Sequence, residues 1–426
     1  MTGARFAGGE CGAAPARFRA PAPAPGGPRQ APPRVAIAHS YMGRGGSEAR
    51  ALWAAQALVD GCRVALLAPR WVELAACDAF YGTALAERGL GVCNGSVPAV
   101  LFRRAGFLRL ALFERHCRRL APRFDVHVSA YNWMDFGLPA VHCIADFSWD
   151  WELQRLAGSR PGRPRWLQSA YLAACRVLAG LPPARSPAET GLLVANSEYT
   201  AELLRRRFGL EELPVLYPPV GAPLVEPLPW HAREPGLVCL GRISPEKRLE
   251  RAIEIVRRLR ARGHRVRLHL VGKMVDTPYG RAIRRLCERE RDWVVVHGEL
   301  VGAAKWELLG RQRFGIHACE IETFGIAVGE LAKAGCVSFV PARGGVVEIV
   351  GEQPLLAYRD IDDAVGKIER VLGDEPLQRA LSQQLRQRGA RFSAERFMRE
   401  FAAIVWGFAA SRAGAPGGPR PAVQAG

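Results

Sequence analysis

Residues 313–330, RFGIHACEIETFGIAVGE, decide the fold, because they predict a strand, a polar turn and a helix in direct succession. Residues 314–318 are apolar and are followed by polar residues, which indicates a short buried strand. Thr323 is a suitable N-cap for the apolar run after it, and that run predicts a helix buried on most of its sides. We therefore expect this stretch to lie inside a layered α/β domain.

Two glutamates frame the turn: Glu322 lies within it, and Glu330 lies inside the apolar helix. Burying a carboxylate without a partner costs free energy or shifts its pKa, so Glu330 needs a partner. The amides of Phe324, Gly325 and Ile326 stand at the helix start, where an anion can bind. Two interpretations stay open: a ligand site, or a surface loop followed by a helix whose glutamate pairs with a buried arginine.

The first half of the chain alternates strands with helices. Residues 35–41 predict a buried strand, and a turn containing Gly45 and Gly46 leads into a helix at 49–59. Such a turn brings backbone close to a phosphate or a sugar, although a simple tight turn before a Rossmann helix is an equal alternative. The alternation favours a parallel sheet with helices on both faces. Further strands are expected at 63–68, 125–129, 139–145 and 192–196, and helices at 103–120, 165–179 and 198–208.

A second series of the same kind begins after a proline-rich segment at 218–229, which predicts a linker between two domains. The helix expected at 245–260 carries an apolar stripe with a period of 3.6 residues. The pattern predicts a second doubly wound domain. Its strands are expected at 237–241, 266–271, 293–297, 314–318 and 337–340.

Arg242 and Lys247 follow the first strand of this second series. Ser244 as N-cap and Pro245 at the first helical position would place Lys247 in the first turn of the helix. A lysine there is disfavoured by the helix dipole by about 0.3–1 kcal/mol, and a bound anion would reverse that sign. Lys247 is one of only five lysines in an arginine-rich chain, which favours a specific role over an ordinary solvated side chain.

Length and composition indicate a two-domain protein without a membrane span. The 426 residues are too many for one ordinary core, and no uninterrupted apolar run reaches about 18 residues. Residues 1–33 and 412–426 are rich in Ala, Pro, Gly and Arg, which predicts disordered tails and no signal peptide. The eleven cysteines are scattered singly, which argues against a zinc site or a disulfide framework and predicts a cytoplasmic protein.

The net charge of +18 could attract nucleic acid, acidic substrates or an anionic membrane. Nucleic acid is not expected as a partner, because no nucleic-acid-binding signature accompanies the charge, and solvated helix faces explain most of it. The helix at 165–179 combines apolar residues with Arg165 and Arg176. We expect it to make peripheral contact with the anionic inner face of a membrane, through Trp166, Leu167, Tyr171, Leu172 and Val177.

Four motifs together resemble those of retaining GT-B glycosyltransferases of family 4, the glycosyl transferases group 1. The first is the pair Glu322-x7-Glu330, with Phe324-Gly325 inside it. The others are the Gly45-Gly46-Ser47-Glu48 loop, the diphosphate clamp of Gly241-Arg242 and Lys247, and the Gly-Gly-x-x-Glu-Ile segment at 344–349. The resemblance extends over roughly residues 35–408.

The resemblance implies the GT-B architecture: α/β, with two Rossmann-like, doubly wound domains that face a cleft. The domains would span 34–225 and 226–393, and a C-terminal helix at 394–411 would cross back onto the first. It also implies retaining transfer of a sugar from a nucleotide-sugar co-substrate, without a metal or other cofactor. The donor would be a UDP- or GDP-sugar, and the acceptor a glycan or a lipid-linked molecule. Segments 217–219 and 317–325 slightly favour a resemblance to mannosyltransferases of lipid-linked oligosaccharides, and therefore mannose as the sugar.

The same resemblance implies roles for individual residues. Glu330 would hold the ribose hydroxyls of the donor, and Glu322 the hydroxyls of its sugar. The catalytic residues would be Glu322 with Arg242 and Lys247, two cations that stabilise the charge developing on the leaving diphosphate. The remaining substrate-binding residues would be those of the glycine loop and the helix start: Gly45, Gly46, Phe324, Gly325 and Ile326.

The sequence departs from the family at one first-domain position. Many members have a histidine near 139–146 that positions the donor sugar, whereas Ala145 or Asp146 falls there in this chain. Either Asp146 takes over that role or the sugar is held differently. The alternative function is a non-catalytic Rossmann protein that binds a nucleotide or nucleic acid. Retention of the charged motif residues argues against it.

Overall fold

The computed structural model describes residues 32–43, 45–95, 106–158, 164–351 and 353–413, which form two six-stranded parallel sheets. The tails expected to be disordered, 1–33 and 412–426, lie almost wholly outside the described residues. So does the start of the helix expected at 103–120. No helix in the described ranges combines the length and apolar character that crossing a bilayer requires.

The first sheet has the strand order β3-β2-β1-β4-β5-β6, and its five strand pairings are all parallel. Its central strand is buried on both faces, since Val35 and Ile37 face one core cluster while Ala36 and Ala38 face another. This is why the strand reads as an unbroken apolar run. The strands are β1 Arg34–Ala38, β2 Arg63–Ala68, β3 Gly91–Asn94, β4 Val126–Ser129, β5 Ala140–Cys143 and β6 Gly191–Val194. The helices are α1 Gly46–Gln56, α2 Leu74–Tyr81, α3 Gly106–Leu120, α4 Trp151–Leu156, α5 Arg165–Leu178 and α6 Glu198–Phe208.

The second sheet repeats this order as β12-β11-β10-β7-β8-β9. In both sheets the order reverses beside the first strand, between β1 and β4 and between β7 and β10, and ligands of doubly wound sheets bind outside the carboxyl ends of the strands there. The strands are β7 Glu234–Leu240, β8 Arg267–Val271, β9 Val294–Gly298, β10 Gln312–Ile316, β11 Val337–Pro341 and β12 Ala357–Tyr358. The helices are α7 Leu249–Ala261, α8 Pro278–Arg289, α9 Gly302–Arg311, α10 Ile326–Lys333, α11 Val346–Val350, α12 Ile361–Leu372, α13 Glu375–Gly389 and α14 Ala394–Ala413.

The last helix, α14, leaves the second domain and packs against α1 of the first. Its residues Phe397, Phe401 and Val405 are at most 1% exposed and belong to the first-domain core. The two chain segments that cross between the domains are bonded to each other, because the Val220 amide donates to the Phe392 carbonyl at 2.9 Å. Lys333 Nζ holds both segments by donating to the Val220 carbonyl at 2.6 Å and to the Phe392 carbonyl at 3.3 Å.

Two local predictions about helix starts are wrong. Residues Pro245–Lys247 form a 3₁₀ turn, Arg248 adopts a left-handed conformation with φ 50°, and α7 begins only at Leu249. Lys247 therefore does not lie in the first turn of an α-helix. Thr323 does not cap α10 either, because that helix begins after Gly325, which has φ 96°.

Candidate active site

The turns after β7 and β10 bring Lys247 and Glu322 together at the switch point of the second sheet. Lys247 Nζ donates a short hydrogen bond to Glu322 Oε2. His317, at the end of β10, places its Nε2 atom 3.4 Å from the same oxygen. Two residues that the sequence could only assign to separate motifs thus form one partly buried cluster.

The electrostatics of this cluster favour the ionised pair. Burial alone would raise the pKa of the Glu322 carboxyl, but the charge of Lys247 and the contact with His317 outweigh it and hold that pKa well below its usual range. Burial alone would lower the pKa of Lys247, and the Glu322 carboxylate reverses this and raises it. An ammonium and a carboxylate therefore face each other at neutral pH.

His317, Cys319 and Glu322 each place one potential metal-ligand atom within 4.8 Å of the others. A positive charge is already supplied there by Lys247, bonded to Glu322. Burial raises the pKa of the Cys319 thiol to about 11, so the thiolate that a zinc ion prefers is scarce at neutral pH. A metal bound here would have to displace both the ammonium and the thiol proton, and the expectation of a metal-independent site stays a prediction.

Glu330 has a partner, and that partner is a lysine rather than the arginine considered from sequence. Lys305 Nζ, from α9, lies 2.6 Å from Glu330 Oε1. The two side chains are 20% and 14% exposed. The carboxylate is therefore reachable from solvent while its charge is balanced from within the fold. Lys305 was not predicted from the sequence. It is one of only five lysines in the chain, and this rarity could have drawn attention to it.

Arg242 stands apart from the other charged site residues. Its side chain is 73% exposed, and its nearest ion-pair partner is Glu246 at 3.8 Å. The structure does not bring it into contact with the Lys247–Glu322 pair. Its position beyond the carboxyl end of β7 leaves the guanidinium free to turn toward a ligand in the cleft.

The turn from Glu322 to Gly325 is packed backbone to backbone against Gly344 and Gly345. The Gly345 amide donates to the Glu322 carbonyl at 2.9 Å. A Cβ on Gly344 would lie 2.6 Å from that oxygen, and one on Gly345 would overlap the Thr323 carbonyl. The second glycine motif therefore fixes the position of the first site glutamate.

Phe324 and Gly325 contribute differently from each other. The Phe324 side chain is 2% exposed and packs against Tyr217 and Phe392, with ring centroids 5.8 and 5.2 Å away. Phe324 can therefore offer a ligand only its backbone. Gly325 starts α10 in a left-handed conformation that favours glycine, so the first amides of this helix have no partner within it.

The glycine loop of the first domain lies against the start of α10. A Cβ on Gly46 would overlap Ile326 Cδ1, so the first residues of α1 and α10 touch across the interdomain cleft. Gly45 is held by its amide, which donates to the Tyr81 hydroxyl at 2.8 Å. Glu48 closes the loop by accepting from the Gly43 amide at 3.2 Å. Two helix N-termini thus line one cleft.

Asp146 is already engaged by several donors. It accepts from the Tyr131 hydroxyl, from Asn132 Nδ2 at 2.9 Å, and from the amide and hydroxyl of Ser148 at 2.8 and 2.6 Å. A carboxylate with four donors orders its own loop and has little capacity left for a sugar. A histidine that the sequence analysis overlooked, His39, follows β1 with its ring 5.2 Å from that of Tyr131. Burial, with a smaller effect of Arg50, lowers its pKa to about 3, so it is neutral.

Two contacts fasten the domains beside the cleft. The Thr323 hydroxyl donates to the Ala145 carbonyl at 2.6 Å, and the Ser197 hydroxyl donates to the Thr323 carbonyl at 2.5 Å. Glu348, from the second glycine motif, accepts from the first two amides of α6 at 3.0 and 2.9 Å. Glu348 thus caps a helix of the other domain, a role that its motif did not predict.

Comparison with known proteins agrees with this geometry. Residues 225–388 match the family described as glycosyl transferases group 1. Among curated proteins, no sequence matches the chain. Several solved structures are similar over almost the whole chain at low sequence identity, and they establish the fold.

Sucrose-phosphate synthase from Thermosynechococcus elongatus gives a TM-score of 0.68 at 16% identity, covering 89% of this chain and 100% of that one. WaaG, a glycosyltransferase involved in lipopolysaccharide biosynthesis, gives 0.65 at 18% identity, covering 88% and 100%. HepE from Anabaena, in complex with UDP and glucose, gives 0.63 at 15% identity, covering 88% and 99%. The expected architecture, two parallel sheets with flanking helices in the GT-B arrangement, is confirmed. With a glycosyl transferases group 1 domain at residues 225–388 and the GT-B fold throughout, the chain is a glycosyltransferase.

Proposed function

We propose that the protein transfers a sugar from a UDP- or GDP-sugar to a glycan or a lipid-linked acceptor, with retention of configuration and without a metal. The observation that carries the proposal is the Lys247–Glu322 pair, which lies at the switch point of the second sheet. The contact between Gly46 and Ile326 brings the first-domain loop to the same cleft. A donor in this cleft would meet charged groups from one domain and backbone from both.

Glu330 binds the ribose of the donor. A carboxylate can accept hydrogen bonds from two vicinal hydroxyls, and Lys305 balances its charge at 2.6 Å. The complex of HepE with UDP and glucose supports a nucleotide sugar as donor, because that protein shares the fold. Glu322 accepts from hydroxyls of the sugar, and Lys247 keeps it ionised for this task.

Lys247 and Arg242 stabilise the leaving diphosphate. An ammonium has three N–H donors, and Lys247 uses one of them on Glu322, which leaves donors for phosphate oxygens. Arg242 is exposed and turns inward when the diphosphate arrives. The amides at the start of α10 add partial positive charge. Negative charge grows on the diphosphate as the glycosidic bond breaks, so these groups bind the transition state more strongly than the donor.

The donor is identified by a thermal-shift screen of UDP, GDP, ADP and their sugars, followed by an assay for slow hydrolysis of each sugar nucleotide. We expect one nucleotide to raise the Tm and its sugar to be hydrolysed, with a mannose donor slightly favoured. Binding without hydrolysis or transfer to any glycan would favour the non-catalytic alternative. Loss of activity on adding a chelator would refute metal independence.

A further inference from the structure

The outer face of α5 is apolar and has no neighbour in the described part of the chain. Val177, Leu178 and Trp166 are 75%, 72% and 71% exposed, and Leu167 is 40% exposed. Ala170, Ala173 and Ala174 are exposed between them, so the outer face runs the length of the helix. Ser169 is the one polar side chain among the exposed positions from 166 to 178. A soluble surface helix normally shows the opposite pattern, with charges outward.

The other side of α5 already has its partners. Tyr171 packs edge-on against Phe107 of α3, with ring centroids 5.8 Å apart, and Cys175 is buried beside it. Arg176 forms an ion pair with Glu114 of α3 at 2.9 Å. Tyr171, expected from sequence to belong to the membrane-contacting face, therefore faces the core. The exposed side chains are not needed to hold the helix in place.

The topology sets the direction of this helix. It belongs to the connection that leaves β5 at its carboxyl end and returns to the start of β6. Such a crossover helix runs antiparallel to its strands, so α5 begins on the cleft side of the sheet. Trp166 is at that end, and Val177 and Leu178 are at the far end. The apolar face therefore starts on the cleft side of the first sheet.

The charge of the surrounding layer selects the partner. The sequences of α3 and α5 hold six arginines and one glutamate, a net charge of +5 on the two helices, of which the buried Asp135 offsets one charge by pairing with Arg118 at 2.9 Å. The whole chain carries +18. Two copies meeting through this face would bring like charges together, whereas a bilayer with anionic headgroups attracts the arginines and accepts the apolar side chains.

We propose that the outer face of α5 docks on an anionic membrane, with Trp166 at the headgroup level and the mouth of the cleft beside the bilayer. The acceptor for the transfer would then be a membrane-borne molecule; this part rests on the proposed function, while the docking itself does not. The apolar face supplies insertion, and the net positive charge of the chain supplies long-range attraction that salt weakens.

The test is flotation of the full chain with vesicles of phosphatidylcholine, with and without phosphatidylglycerol, at low and high salt. We expect binding only to the anionic vesicles and weaker binding at high salt. The triple variant Trp166→Ser/Val177→Asn/Leu178→Gln should lose about tenfold or more in vesicle affinity. The matched control is Leu224→Gln, because Leu224 is 67% exposed and lies outside this face. Its binding should equal that of the wild type.

The variant positions are exposed, so the triple variant should keep its Tm and its hydrolysis of soluble sugar nucleotide. Val177→Asn alone, with an intermediate loss, provides the same test if the triple variant is poorly folded. Absence of vesicle binding at low salt, or equal binding by the triple variant, would overturn the proposal. The proposal would also be overturned if the wild type were a dimer and the triple variant a monomer, since a second copy would then cover the face. None of these results depends on which donor is used, so the proposed transfer is judged separately.

Discussion

Lys247 and Glu322 lie 75 residues apart in the sequence and form an ion pair at the carboxyl edge of the second sheet. The pair joins the two loops that flank the switch point between β7 and β10. The proposed diphosphate-binding cation and the proposed sugar-binding carboxylate are therefore positioned by each other before any donor arrives. Preorganised groups of this kind lose little free energy to reorganisation during the reaction.

Lys247→Ala should lower kcat more than it raises KM, because Lys247 acts mainly on charge that appears in the transition state. Loss of one such donor costs about 3–4 kcal/mol, or about two to three decades of rate. Steady-state kinetics with the identified donor measure this. Lys367→Ala is the matched control, since Lys367 is a similarly exposed lysine whose carboxylate partner, Asp363, is outside the site. Near-normal turnover of Lys247→Ala would refute the clamp.

Glu322→Gln should change the dependence of stability on pH. The pKa of Glu322 in the folded protein is held below its ordinary value of 4.5, so the carboxylate stabilises the fold above that pH. The stabilisation is lost as pH falls through the lowered pKa. The free energy of unfolding of the wild type should therefore be higher than that of the variant. This difference should be largest near neutral pH and should shrink in acid. Urea unfolding at several pH values measures it, and a difference that stays constant with pH would contradict the ionised pair.

Glu330→Gln should fold and should bind the free nucleotide more weakly, because an amide has one acceptor oxygen where the carboxylate has two. Isothermal titration with UDP or GDP gives the Kd. Lys305→Met is the companion variant: it leaves Glu330 in place but removes the ion pair at 2.6 Å. We expect Lys305→Met to lower the Tm. It should weaken nucleotide binding less than Glu330→Gln does. An unchanged Kd for Glu330→Gln would remove Glu330 from the site.

Gly46→Ala should impair the enzyme slightly through a contact between domains, because the Ile326 side chain that it displaces is flexible. The added Cβ would overlap Ile326 Cδ1, at the point where α1 and α10 meet. Ile326→Ala removes the overlapping atom, so the double variant should recover most of the activity that Gly46→Ala loses. A double-mutant cycle on kcat/KM measures the coupling, and additive effects would show that the two helix starts do not act together.

The fold could be predicted well where local sequence determines structure. The strand Arg63–Ala68 and the helix Glu198–Phe208 have the bounds expected from apolar pattern and capping residues. The short strands Gly91–Asn94 and Ala357–Tyr358 were not predicted, since a few residues carry too little pattern to identify a strand.

The errors at the site have a tertiary origin. Thr323 looks like an N-cap, but its hydroxyl is bonded to the Ala145 carbonyl, 178 residues away in sequence. The helix expected from Pro245 is interrupted at Arg248, whose guanidinium lies 3.6 Å from Glu320, and the Leu249 amide donates to the Tyr279 hydroxyl at 2.9 Å. None of these partners is near in sequence. The sequence placed Glu322 in the turn after the strand, but it could not give the pairing of Glu322 with Lys247, 75 residues away.

The packing of α14 on α1 has a consequence for the order in which the protein can fold. Phe397, Phe401 and Val405 are part of the first-domain core, yet the ribosome adds them only after the whole second domain. Domains generally fold as units while the chain is being made, N-terminal domain first. Here the N-terminal domain must keep an apolar surface uncovered throughout synthesis of the second domain. The second domain can bury its own core first, and the domain that is synthesised first is completed last.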